Sequence, residues 1–400
     1  MNFRTLNDLD VRGKRVLVRE DLNVPLNDPS TSSGRGAIAD YTRVDAAIPT
    51  LRALLDRGAR VIVLSHLGRP DGKPDPKYSL RPVAAALAER LHTNVAFADD
   101  SIGPAAQQAV AALTNGSIVL LENVRFHKEE EQNDPAFAKE LASLGDLYVN
   151  DAFGTAHRAH ASTEGVAHLL PNAAGLLMEA ELAALARLTS NPQHPYVCVI
   201  GGAKVKDKVG VFKFLMKNVD QFCIGGGMAN TFLAARGTNV GASLRDDDLG
   251  PARDILEFAD SQDVTLHLPV DAVVSTAFDN DDAAHVVGIE DVGNEMILDI
   301  GPKTAHAYAD VIAHAKTIVF NGPMGVYEKR AYQSGTRVVG EAIAKSTRAG
   351  ATSVVGGGDA AAAAHELGFA DAMTHVSTGG GATLEFLEGR TLPGVAALEA

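Results

Sequence analysis

Only two cysteines, Cys198 and Cys223, occur among the 400 residues, and both sit inside apolar runs. Two thiols at that spacing form neither a disulfide framework nor a CxxC metal site, which suits a reducing compartment and a cytoplasmic location. No uninterrupted run of about eighteen apolar residues is present, so no membrane span is expected. The opening MNFRTLNDLDVRGKR carries no apolar signal region, so export is not expected either. Positive charge is in deficit: 36 Lys and Arg stand against 50 Asp and Glu, a formal net charge of −14. That balance argues against nonspecific nucleic-acid binding and leaves room only for a local basic pocket. The phosphate-loop pattern GxxxxGK[ST] is also absent, which disfavours a P-loop ATPase. Small ligands are the expected partners.

The remaining composition, 46% hydrophobic and 22% charged, is that of an ordinary soluble protein. Its length exceeds what one hydrophobic core usually organises, so two domains are expected. Short β-branched runs alternate with longer Ala- and Leu-rich segments of helical period, the pattern of parallel sheets crossed over by helices. The strand candidates of the first half are 15–20, 60–66, 117–124 and 147–153. Those of the second half are 196–202, 220–227, 264–270, 317–323, 352–358 and 374–381. Between them GLLMEAELAALARL (175–188) reads as an amphipathic helix, followed by the breaker cluster TSNPQHP. The domain boundary is placed on that helix. The polar stretch 27–37 reads as a surface loop.

In parallel α/β sheets ligands gather beyond the carboxyl ends of the strands, so the residues following each strand are the ones to compare. In the first half these are Arg19, Asp21 and Asn23; Ser65, His66 and Arg69; Glu122, Asn123 and Arg125; and Asn150, Asp151, His157 and Arg158. In the second half they are GGAK (201–204), GGG (225–227), NGP (321–323), GGGD (356–359) and STGGG (377–381). Arginines so placed can bind a multiply anionic substrate through charge-assisted hydrogen bonds. Glycines let backbone N–H groups approach a polyphosphate closely.

Each feature also has a plainer reading. Asp359 can simply cap the alanine-rich helix that follows it. Lys204 and Lys208 can be a solvated helix face. His157 and His160 have the spacing of a metal pair, but no cysteine or acidic ligand stands at metal spacing beside them, and zinc is disfavoured. GGGDAA (356–361) satisfies a loose GxGxxA dinucleotide fingerprint, but the next strand runs into STGGG and lacks the closing acidic residue, which weakens an oxidoreductase reading. A noncatalytic nucleotide binder would not need a second, arginine-lined anion site.

Taken together and in order from about residue 10 to the C-terminus, REDLNVPL, SHLGRP, LENVRF, NDAFGTAHRAHAST, GGAKVKDK, IGGGMANTFL, LPVDAVV, NGPMGVYE, GGGDAAAA and HVSTGGGATLEFLEG resemble the motifs of phosphoglycerate kinases. The resemblance implies an α/β fold of two doubly wound parallel-sheet domains joined by a helical hinge. Residues 1–174 would bind 3-phosphoglycerate or 1,3-bisphosphoglycerate, 175–190 would form the hinge, and 191–390 would bind ADP or ATP with Mg2+. The tail 391–400 would pack back onto the first domain. It further implies a cytoplasmic monomer that acts on small molecules, with no nucleic-acid or membrane partner, and transfers a phosphoryl group directly after hinge closure.

Matched motif by motif, the resemblance assigns Asp21 and Asn23 to the hydroxy-acid end of the substrate. Arg43, His66, Arg69, Arg125 and Arg158 become a basic patch. His66 is a binding residue there, since a carboxylate acceptor has no proton to remove. Arg43 and Lys204 are assigned to the transferring phosphoryl group, with backbone donors at Gly357 and Gly380. Lys208 is matched to the nucleotide α-phosphate, Asn321 to the triphosphate and Glu328 to the ribose. Gly201, Gly202, Gly225, Gly226, Gly356, Gly357, Gly358 and Gly381 are matched to the nucleotide's backbone cradle, and Asp359 to magnesium. Three departures stand out, the first being the 27–37 loop, which is longer than the family's usual turn and closely precedes Arg43. Ala360 replaces a Ser or Thr common in the family, and DVGNEMIL (291–298) replaces a Trp-containing segment.

Overall fold

The computed structural model describes residues 3–27 and 38–399, so most of the 27–37 loop lies outside the described residues. The chain divides into two compact units, Met1–Leu182 with Thr391–Ala400, and Ala183–Arg390. The first unit holds β1 (Arg15–Arg19), β2 (Arg60–Leu64), β3 (Val95–Ala98), β4 (Ile118–Leu121), β5 (Leu147–Asn150) and β6 (Asn172–Ala174). They form one parallel sheet in the order β3-β4-β2-β1-β5-β6. The central strands RVLVR and IVLL are buried on both faces by flanking helices, which is why they read as continuous apolar runs. β3 and β6 stand at the two edges of the sheet and are absent from the expected strands. VAFA and NAA are short and half or more alanine, too brief to stand out from the neighbouring Ala-rich helical segments.

The second unit holds β7 (Tyr196–Ile200), β8 (Gln221–Ile224), β9 (Thr265–His267), β10 (Asp271–Ser275), β11 (His285–Gly288), β12 (Met296–Ile300), β13 (Thr317–Asn321), β14 (Thr352–Val355) and β15 (His375–Val376). Its parallel sheet runs β15-β14-β13-β7-β8-β9. Strand order reverses between β7 and β13: the chain leaves β7 toward β8 and β9, and leaves β13 toward β14 and β15. A second, antiparallel sheet, β11-β10-β12, lies outside the expected strands. The stretch expected as one strand at 264–270 stops at His267, and Val270 is 59% exposed before pairing resumes at Asp271.

The helix Leu176–Thr189 carries the boundary between the units. Its first-turn N–H groups are satisfied from the first unit. Leu176 donates to Thr50 Oγ1 at 2.9 Å and Met178 to Asp151 Oδ1 at 3.0 Å. Gly175 permits this approach, since a Cβ there would lie 2.2 Å from Asp151 Oδ1. The C-terminal residues join the first unit through the Phe3–Glu399 bridge, Gly394 N–H to Ala156 O at 2.8 Å, and Asn172 Nδ2 to Ala397 O at 3.1 Å.

Candidate functional site

At the carboxyl edge of the first sheet the motif residues interlock. Arg43 donates to Asp21 Oδ1 at 2.9 Å and to Asn23 O at 3.0 Å, while Asn23 Oδ1 accepts from Gly68 N–H at 2.8 Å. Arg125, 4% exposed, donates to Gly68 O at 2.8 Å and lies 3.2 Å from Glu131. Arg158, half-buried, donates to His157 Nε2 at 3.2 Å. Arg69 is exposed.

His66 is buried, with Nδ1 3.2 Å from Arg19 Nη2. Burial first, then the charges of Arg19, Arg125, Arg43 and Arg158, push its pKa well below the ordinary imidazole value. The ring is therefore neutral at physiological pH. With Nδ1 accepting from Arg19, Nε2–H is left as a donor suited to an anion. His160 behaves alike, pushed down to about 3 by burial and then by Arg125. Neither imidazole is an acid or a base near neutral pH.

Arg19 is the residue that motif matching left without a role. It is buried to 1% exposure, donates to Ser162 Oγ at 2.8 Å and to Glu20 O, and holds His66. Ser162 Oγ in turn donates to Glu130 at 2.6 Å. A strand-end arginine after RVLV was the available signal, but only the tertiary structure separates this buried support from the arginines at the rim.

In the second unit the reversal between β7 and β13 opens the crevice at which α/β sheets take ligands. The two strand ends approach so closely there that a Cβ on Gly201 would lie 1.9 Å from Pro323 O. Lys208 spans the reversal, its Nζ donating to Gly201 O at 2.8 Å, Asn321 O at 2.5 Å and Asn321 Oδ1 at 2.6 Å. Burial lowers its pKa to about 8 against the opposing pull of Cys198, Asp359 and Asp207. It is not a solvated helix face. Asn321 Nδ2 donates to Gly356 O at 2.6 Å, tying β13 to the glycine corner after β14. Lys204 is half-buried and makes no hydrogen bond or ion pair among the described residues.

The glycine corners open helices. Gly225 precedes the helix Gly226–Ala235, Gly357 precedes Gly358–Glu366, and Gly380 precedes Gly381–Leu387. Gly357 has φ of 103°, a conformation L side chains rarely adopt, and no side chain caps the helix it starts. Asp359 is thus not the cap. Its carboxylate is exposed and lines a cavity of about 770 Å³ shared with Gly202, Gly226 and Glu328. The rest of that wall is largely apolar and includes Leu244, Phe278, Ile289, Met296, Ile297 and Leu298. The departing segment 291–298 therefore supplies cavity wall, a role its sequence did not disclose. Ala360 is 1% exposed and packs in the core of this unit.

Known proteins bear on this arrangement. The family model described as phosphoglycerate kinase matches residues 6–390. Phosphoglycerate kinase of Chloroflexus aurantiacus is 54% identical over 403 residues, covering 100% of this chain and 99% of the relative. That of Chloroflexus aggregans is 52% identical with the same coverage. Among solved structures, phosphoglycerate kinase from Coxiella burnetii superposes with a TM-score of 0.90 at 44% identity, covering 99% of this chain and 98% of that one. The Pyrococcus horikoshii enzyme gives 0.82 at 33% identity with the same coverage. With the motifs in order, both parallel sheets and full-length similarity agreeing, the chain belongs to the phosphoglycerate kinase family.

Proposed function

We propose that the chain transfers a phosphoryl group reversibly between 1,3-bisphosphoglycerate and ADP, giving 3-phosphoglycerate and ATP. The observation that carries this reading is a division of chemistry. One unit presents arginines around a neutral histidine, and the other presents a glycine-lined sheet reversal with a lysine and an exposed carboxylate. The first suits a small polyanion and the second a polyphosphate. An acyl phosphate is already activated, so no covalent enzyme intermediate is required. The protein must align donor and acceptor oxygens and offset charge on the transferring group.

In this reading Arg43, Arg69, Arg125, Arg158 and the His66 Nε2–H bind the phosphoglycerate, and Asp21 and Asn23 hold Arg43 and meet the hydroxy-acid end. Lys208, Asn321, Glu328 and the backbone at Gly201, Gly202, Gly225, Gly226, Gly356, Gly357 and Gly358 bind the nucleotide. Lys204 and Arg43, with N–H groups at Gly357 and Gly380, meet the transferring phosphoryl. Closure about the helix Leu176–Thr189 would exclude water during transfer.

The exposed carboxylate of Asp359, which has no hydrogen bond or ion pair among the described residues, fits a magnesium ion, a hard cation that takes one or two carboxylates and completes its shell with phosphate and water oxygens. Bound there, magnesium would offset phosphate charge. Among the described residues no helix is long and apolar enough to cross a membrane. A cytoplasmic monomer is the accompanying proposal, in line with two buried free thiols.

The deciding experiment supplies 3-phosphoglycerate and ATP with and without magnesium and traps the acyl phosphate as its hydroxamate. Magnesium-dependent product is expected. A folded protein that forms none at saturating magnesium overturns the reading, and nucleotide binding without transfer would point to a binder.

A further inference from the structure

Nothing on the Lys204 side chain fixes its position, since its ammonium has no partner among the described residues. Its place is set by its backbone. The two following N–H groups, Val205 and Lys206, open the short turn Lys206–Lys208 and need acceptors from elsewhere. Both donate to one oxygen, Oδ2 of Asp246, at 2.7 and 3.3 Å. Asp246 is 6% exposed. Its own N–H donates to Thr231 Oγ1 at 2.9 Å, on the helix Gly226–Ala235.

Two residues earlier the same strand of chain walls the cavity. Leu244, 57% exposed, lines it, and its backbone O accepts from Asn230 Nδ2 at 3.1 Å. Ser243 Oγ accepts from Ile297 N–H at 2.8 Å. Residues 243–246 thus form a strap pinned at both ends. One end borders the cavity and the other holds the lysine-bearing turn by a buried carboxylate.

We propose that Asp246 is a positioning residue for phosphoryl transfer, acting through Lys204. The inference rests on the assignment of Lys204 to the transferring group. A carboxylate accepting two adjacent backbone N–H groups makes charge-assisted bonds, stronger than neutral ones. Losing both frees the turn, and a displacement on the order of 1 Å at a group that must meet a transition state costs on the order of 100-fold in rate. Ground-state binding in the other unit is untouched. The signature is a fall in kcat without a rise in the KM for phosphoglycerate.

The test is a double-mutant cycle. Asp246→Leu removes the acceptor at similar volume, and Asp246→Asn retains an oxygen that can accept from both N–H groups. Asp246→Leu is expected to lower kcat about 10- to 100-fold with unchanged phosphoglycerate KM, and Asp246→Asn to recover kcat to within a few-fold. Added to Lys204→Ala, Asp246→Leu should lower kcat no further, because the group it positions is gone. Full multiplication of the two effects, or a folded Asp246→Leu protein with native kcat, overturns the proposal. If Asp246→Leu does not fold, Thr231→Val, which removes the acceptor for the Asp246 N–H, should lower kcat several-fold only when Lys204 is present, and no loss overturns it. Native kcat in Lys204→Ala alone refutes the Lys204 assignment and the proposal with it. An impaired Lys204→Ala beside a native Asp246→Leu refutes only the proposal.

Discussion

Lys208 supplies a prediction whose size follows from its surroundings. Its ammonium is held by three oxygens at the β7–β13 reversal, yet burial outweighs those bonds and leaves its pKa at about 8. The free side chain is then about one tenth neutral at pH 7, about half at pH 8 and about nine tenths at pH 9. A nucleotide phosphate beside it favours the charged form and drives the pKa back up. With Lys208 at the nucleotide phosphates, as proposed above, nucleotide binding takes up about 0.5 proton at pH 8 and about 0.9 at pH 9. The sign is fixed by linkage. Because the free protein carries the lowered pKa, affinity is highest below pH 8 and falls as pH rises through it, weakening about tenfold between pH 7 and pH 9. Titration calorimetry in two buffers of different ionisation enthalpy measures the uptake directly, and at pH 8 and above the nucleotide's own phosphates are already deprotonated. Lys208→Met should abolish the uptake and flatten the pH dependence. Uptake near zero at pH 8, or uptake that persists in Lys208→Met, would refute the argument.

Gly201→Ala places a Cβ 1.9 Å from Pro323 O and 3.0 Å from Gly322 O, so β7 and β13 must part. A loss of about 1–3 kcal/mol in the second unit's stability and of nucleotide affinity is expected by calorimetry, with phosphoglycerate binding retained; a native melting profile would show that the strand ends are slack. Glu20 is fully buried with no hydrogen-bond partner among the described residues for either carboxyl oxygen, and burial first, then the nearby Asp151, raises its pKa well above the ordinary value. Such a raised group contributes stability that is complete below its unfolded pKa and is lost as pH rises through the folded one. Glu20→Gln should therefore melt higher than the native chain at pH 8 and converge with it in mild acid, each kcal/mol appearing as about 2–4 °C; identical pH profiles of the two proteins would contradict this.

Much of this molecule follows from local pattern alone. Continuous apolar runs such as YVCVI and TIVFN read as strands because a parallel sheet buried on both faces demands them. The glycines at 201–202, 225–227 and 356–358 mark strand-to-helix corners because backbone must turn there without a Cβ. The arginines in the segments that end or follow β1, β4 and β5 are visible because ligands gather beyond the carboxyl ends of parallel strands. Long-range adjacency is different. Nothing near residue 200 states that β13 will lie beside β7, so neither the reversal between them nor Lys208's three acceptors could be read from the chain. Arg19 and Arg158 look equivalent in sequence, and only packing buries one beneath His66 and leaves the other half-exposed. Asp359 and Ala360 are neighbours, but the turn of one helix sends the first to the cavity and the second into the core. Asp246 reaches the backbone of Val205 across 41 residues of chain. Periodicity determines which face of an element is apolar, whereas these contacts arise only when separate elements bury those faces together, and their partners are set by the packing of the whole unit.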